Sequence, residues 1–279
     1  MSLTPSVVVL PAFAVEDNAG SVSEVAPWLD AYDFEPLAVD GVAHPVQYDD
    51  DVVLAPTGIG KAAAATTVTA LAAGNAVDLT DARIVTVGIA GAPPSAGTIG
   101  SVFVADAVVD WDPKLRFDDA IAPPRWAADH VWRLDESLVE RAAEAAETAG
   151  LVDGDDGVRR LRERYDDDRT PSVGVGPTVG SDELYHGRQI TKAVERLCDW
   201  YGLDGYVTTE MEGGGTAAAL ERFGLLDRYV SVRAVSNFDR EPPGGDPAES
   251  IERIRFEVAI ENAVRAGRAV VERLCDDRR

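Results

Sequence analysis

Apolar positions along the chain follow two rhythms. Short apolar runs of strand length occur at Val7–Leu10, Val52–Ala55, Arg83–Gly88, Ile99–Val109, Ser172–Val179 and Tyr229–Ser236, with another ending at Val207. Such runs are typical of strands buried on both faces. Between them, Ser21–Tyr32, Ala62–Ala73, Asp135–Thr148, Gly187–Tyr201 and Thr216–Phe223 carry helix formers with an apolar face. A last helix is marked by Asp246 as N-cap, Pro247 at its first position and Glu249 at its third, and runs to about Leu274 as scaffold. Leu151–Thr170 is acidic and reads as helix plus solvated loop; Asp110–Arg133 is irregular, with Trp111, Trp126 and Trp132 as loop anchors or as lining of a pocket or subunit contact. Strands alternating with helices, without repeat or linker, predict a single-domain α/β fold over residues 1–279, with a mixed, mostly parallel central sheet flanked by helices.

Charge narrows the partners. The chain holds 49 acids against 26 bases, a net of −23, and its only lysines are Lys61, Lys114 and Lys192. Excess acid with little lysine points to adaptation to a high-salt cytoplasm, where a screening length of roughly 3 Å at 1 M salt makes self-repulsion tolerable. The same surface argues against nucleic-acid and anionic-membrane partners. Cys198 and Cys275 are too few for a disulfide framework, and Asp166–Asp168 lacks the glycine spacing of a calcium loop, so no metal and no organic cofactor is expected. The apolar stretches Ser6–Val15 and Ala62–Val77 fall short of the roughly 20 residues of a membrane span, so the expectation is a soluble, cytoplasmic protein.

Two successive strands end in polar clusters. The first is followed by Thr208-Thr209-Glu210-Met211-Glu212-Gly213-Gly214-Gly215, which also fits a capped helix start with solvated acids. The second ends in Ser236-Asn237-Phe238-Asp239-Arg240, then the breaker Pro242-Pro243-Gly244-Gly245. In open α/β sheets, ligands sit beyond the carboxyl ends of strands. Together the two stretches resemble the purine nucleoside phosphorylase and nucleosidase superfamily, with its Glu-Met-Glu ribose motif and its base-binding turn. The likeness is closest to the purine nucleoside permease family, whose Thr-Thr-x-x-Glu-x-x-Gly-Thr run corresponds to Thr208–Thr216 and whose Ser-Asn-Phe-Asp-Arg run corresponds to Ser236–Arg240. With the charge balance, the resemblance suggests a haloarchaeal member.

The resemblance implies a nucleoside phosphorylase-like fold, a purine nucleoside as partner and a homo-oligomer. It implies that Glu210, Met211 and Glu212 hold the ribose, and that Tyr185, Ser236 and Asn237 hold the base. Asn237 and Asp239 are then the candidates for handling the leaving base, with Asn237 favouring 6-oxopurines. Glu16 matches the spacing of the nucleosidases' water-activating acid, although it equally suits an acid at the start of the following helix. Gly88, Ala90 and Gly91 correspond to an anion or water turn, in which Ile89 replaces a serine; inorganic phosphate is therefore a possible co-substrate, with hydrolysis modestly favoured. His186 is a further candidate proton carrier. Thr57-Gly58-Ile59-Gly60-Lys61 departs from a Walker loop at Ala55 and Ala62, and its glycines read as structural. A nucleoside-binding protein linked to uptake, without catalysis, is the alternative function.

Overall fold

The computed structural model describes residues 2–17, 20–118, 120–122 and 130–277; Trp126 and the side chain of Glu16 lie outside what it describes. Strand β1 (Val7–Leu10) is wholly buried, and is followed by the hairpin β2 (Ala14–Asp17) and β3 (Gly20–Ser23) and by a single helical turn, α1 (Ala26–Leu29). The helix expected over Ser21–Tyr32 is thus mostly absent. Val15 and Val22 are β formers that face one another across the β2–β3 pair, and that pairing prevails over the apolar spacing.

Next come β4 (Glu35–Leu37), β5 (Val46–Asp49), β6 (Val52–Leu54) and helix α2 (Lys61–Ala73). Two long strands follow, β7 (Arg83–Ala92) and β8 (Val102–Asp110), then the short β9 (Leu115–Phe117), β10 (Ala120–Ala122) and β11 (Val131–Arg133). Helices α3 (Glu136–Glu147) and α4 (Asp156–Glu163) are capped by Asp135 and Asp155, which accept from Leu138 N and Val158 N. The chain continues through β12 (Val173–Gly180), α5 (Arg188–Trp200), β13 (Thr208–Glu210), α6 (Gly213–Arg222) and β14 (Tyr229–Phe238).

The expected final helix is two. Asp246 caps α7 (Pro247–Ile251), accepting from Glu249 N as its spacing foretold, but the helix stops and restarts as α8 (Phe256–Asp276). At the break Arg255 N donates to Ser236 O at 2.8 Å, so the interruption ties this segment to the end of β14.

Ten strands form one mixed sheet, with β14 paired to both β7 and β8. Parallel pairs join β1 to β6 and β7, β12 to β8 and β13, and β14 to β7; β13 meets β7 antiparallel at Thr209–Gly91. The pairings β7–β14–β8–β12–β13–β7 therefore close a ring. Closure brings the ends of β7, β13 and β14 to one place. Helix α8 lies on β7 and β14 with α3 beside it, while α2 packs against α6. The sheet flanked by helices is the α/β architecture expected from the apolar pattern.

Candidate active site

The Glu210–Gly215 turn is built around a buried carboxylate. Glu210 Oε2 accepts from the backbone N–H of Glu212 at 2.7 Å and of Gly213 at 2.6 Å, a negative charge at the N-terminus of α6. The glycines are needed for contact. A Cβ at Gly213 would lie 2.5 Å from Glu210 Oε1, and one at Gly215 would overlap the Lys61 carbonyl at the start of α2. That close crossing lets Gly60, at φ +94° where a side chain would be strained, donate its N–H to Glu212 Oε1 at 3.0 Å. Lys61 anchors the same corner through Asp110 at 2.6 Å and Asp112 at 2.5 Å.

Arg233, the one basic residue of β14, bridges both acids: Nη2 to Glu210 Oε2 at 2.9 Å and Nη1 to Glu212 Oε2 at 3.2 Å. All three side chains are buried, so the guanidinium balances charge that burial alone would make prohibitive. A third acid completes the cluster. Glu24, 2 % exposed, accepts from Ala12 N at 2.8 Å and Ile89 N at 2.7 Å. Its approach depends on Gly88, where a Cβ would stand 2.6 Å from Glu24 Oε1 and 2.9 Å from Arg233 Nη1. Burial pushes the Glu24 carboxyl up from 4.5 to about 7, aided by the charge of Glu212 and opposed by Arg233 and the two backbone donors. Burial, with the charge of Glu210, likewise raises Glu212, against Arg233 and the Gly60 N–H.

These groups open into a cavity of about 360 Å³. Glu24, Glu210, Glu212, Arg233 and Met211 line it together with Tyr185, Ser236, Asn237 and Thr209. Apolar walls come from Phe13, Ile59, Ile89, Leu184, Ile254 and Phe256. Tyr185 is buried against Trp111 with ring centroids 5.9 Å apart, and its hydroxyl has no hydrogen-bond partner among the described residues; burial pushes that hydroxyl well above its usual range. The β14–β7 register shifts between Val235 and Asn237. Such an irregularity re-aims side chains, and here both Ser236 and Asn237 line the cavity. Ser236 Oγ lies 3.1 Å from Ala90 O and 2.9 Å from Asn237 Oδ1, and Asn237 Nδ2 donates to Phe238 O at 3.0 Å, leaving its second N–H for a ligand.

The structure thus brings together Glu210, Met211, Glu212, Tyr185, Ser236 and Asn237 from three strand ends. It separates others. Asp239 does not line the cavity: it is buried against Tyr206 at 2.6 Å and Arg240 at 2.7 Å, a structural ion pair, which corrects its expected catalytic place. Gly88, Ala90 and Gly91 form no anion turn, because β7 continues through them to Ala92, and the Ile89 N–H is spent on Glu24. Ala90 and Gly91 do line the cavity, whereas Gly88 makes room for Glu24. His186 lies outside it, half-buried, with its pKa lowered by burial.

Four contributors, Glu24, Arg233, Ile254 and Phe256, escape a reading of the sequence. Glu24 sits beyond a hairpin rather than eight residues earlier, where Glu16 occupies β2 opposite Ser21. The only signal for Arg233 is a lone charge inside an apolar strand, which must be paired if buried. Ile254 and Phe256 reach the cavity only because the last helix breaks.

A profile of the purine nucleoside permease family matches residues 4–131 and 122–279. A purine nucleoside permease of Candida albicans is 26% identical over 313 aligned residues, spanning 96% of this chain and 74% of its own length. Among solved structures, futalosine hydrolase of Helicobacter pylori superposes with a TM-score of 0.64 at 20% identity, covering 98% of each chain. The 5'-methylthioadenosine/S-adenosylhomocysteine nucleosidase of Neisseria meningitidis, in complex with methylthio-immucillin-A, gives 0.65 at 17% identity, covering 96% of this chain and 98% of that one. The fold is therefore the one these two enzymes share, and among the described residues no helix is long and apolar enough to cross a membrane. With the profile accounting for the sequence almost from end to end, the chain belongs to the purine nucleoside permease family.

Proposed function

We propose that the protein hydrolyses the N-glycosidic bond of purine nucleosides. The observation that carries this is the charge of the cavity: among the described residues, four lining carboxylates, Glu24, Glu183, Glu210 and Glu212, face one guanidinium, Arg233, which is already shared by two of them. Such a lining repels a phosphate dianion and favours the positive, oxocarbenium-like sugar that forms as the bond breaks. The permease name of the relatives fits binding without cleavage, but binding alone does not require three buried acids around one cation.

The roles follow from position. Glu212, fixed by Gly60 and Arg233, is placed to accept from the ribose hydroxyls above Met211, an adaptable apolar wall. Glu210 holds the turn and Arg233 rather than the sugar. Glu24 takes the proton of the attacking water, the part first expected of Glu16; a carboxyl with a pKa of about 7 is a competent general base near neutral pH. Tyr185 supplies a face for the purine, and the free N–H of Asn237 stabilises charge growing on the leaving base without transferring a proton, which suits inosine or guanosine. Ile59 and Leu184, exposed at 52% and 68% on the cavity lining, support a homo-oligomer in which a neighbour covers them.

Incubation with inosine, guanosine and adenosine in phosphate-free buffer tests the proposal. Free purine base is the expected product. Saturable nucleoside binding with no base released would establish the uptake-linked binding protein instead.

A further inference from the structure

A second cavity, of about 610 Å³, lies between α4 and the break separating α7 from α8, and its lining is basic in an otherwise acidic protein. Arg160 and Arg164 come from the α4 segment, one helical turn apart; Arg253 and Arg255 come from the break. Gly157, Leu161 and Glu163 complete the lining. The neighbouring Arg159 and Arg162 have ion-pair partners in Asp156 and Asp153. By contrast, among the described residues no ion pair or side-chain hydrogen bond to protein holds Arg160, Arg164, Arg253 or Arg255. Arg164 Nη1 and Arg255 Nε are buried with no hydrogen-bond partner among those residues.

Unpaired buried donors and like charges held together are both unfavourable, and neither is explained by packing. The lining itself carries four guanidiniums against one carboxylate, Glu163. Asp155 is held below its usual range by the Val158 N–H and by the charges of Arg255 and Arg160, and Arg255 also lines an adjoining cavity with Asp153, Asp155, Glu257 and Glu261, yet none of these acids forms an ion pair with the four arginines among the described residues. Planar guanidinium forks match the oxygens of a phosphoryl group. The cavity also exceeds the size of an inorganic phosphate, leaving room for the organic part of an ester.

We propose that this cavity is a binding site for a phosphoryl-bearing anion. It shares none of its lining with the catalytic cavity, although Arg255 lies between Ile254 and Phe256, which do line it. The inference does not rest on the hydrolysis proposed above.

The test is calorimetric titration at low ionic strength with inorganic phosphate and, separately, with glycerol 3-phosphate, an ester lacking purine and ribose. Wild type is compared with the double variant Arg160→Gln/Arg253→Gln, both exposed side chains whose replacement leaves the core intact. The expected result is saturable one-site binding that weakens with added salt and falls by at least about tenfold in the variant, as loss of charge-assisted bonds predicts. Tighter binding of glycerol 3-phosphate assigns the site to an organic phosphate; equal or tighter binding of inorganic phosphate assigns it to the free ion. Absence of saturable binding by either anion overturns the proposal. Binding unchanged in the variant also overturns it, because the anion then sits elsewhere, as it would in the catalytic cavity of a phosphorylase.

Discussion

Replacing Glu24 by Gln separates two consequences of one buried carboxyl. Its pKa is moved by burial from 4.5 to about 7, a difference worth about 3 kcal/mol. The folded state holds this proton more tightly than the unfolded chain. The group's contribution is therefore fully present below about pH 4.5 and is lost as the pH rises to about 7. The Glu24→Gln variant should show a stability curve flatter by about that 3 kcal/mol between pH 4.5 and 8, measured by urea denaturation. Its absolute stability is offset by a separate amount, because the amide can accept from only one of the Ala12 and Ile89 N–H groups through its single oxygen, at a cost of about 1–3 kcal/mol. The slope is thus the diagnostic quantity. Activity moves the other way. Wild-type kcat/KM should rise with the ionised fraction through about pH 7, and the variant should be slower by roughly 10²–10⁴ with that rise removed. A wild-type profile that is flat from pH 6 to 8, or a variant that keeps its rate, would refute the role given to Glu24.

Three further outcomes are expected. Glu212→Gln, with folding checked by denaturation, should lower kcat/KM for inosine at least tenfold through loss of a charge-assisted bond of roughly 1.5–3 kcal/mol, and should affect 2'-deoxyinosine less; equal effects on both would place Glu212 away from the 2'-hydroxyl. Inosine should be cleaved faster than adenosine, and Asn237→Asp should shift the preference towards adenosine; an adenosine-preferring wild type would contradict the part given to the Asn237 amide. The net charge of −23 should make the melting temperature climb steeply from dilute buffer to molar potassium chloride, and a protein equally stable in both would remove the salt-adaptation reading.

What was legible in the sequence was what depends on short segments. The strand runs and helix faces foretold an α/β sheet, and the residues around Glu212 and Asn237 could be picked out because they follow strands directly. Failures arose where position depends on distant pairing. Glu24 requires the β2–β3 hairpin, Gly88 and the N–H groups of Ala12 and Ile89 to come together, and no local spacing encodes that meeting. Gly88–Gly91 reads as a turn because glycines punctuate it, yet pairing with β14 and β13 extends it as strand. Asp239 lies two residues beyond Asn237, but the end of β14 carries it into the Tyr206–Arg240 pair and out of the cavity.

The measurement closest to the central claim is the identity of the sugar released from inosine with and without inorganic phosphate. A cavity whose one lining cation among the described residues is already shared between Glu210 and Glu212 predicts free ribose in both conditions, at a rate that phosphate does not raise. Formation of ribose 1-phosphate, with cleavage strictly dependent on phosphate and retained in the Glu24→Gln variant, would contradict it.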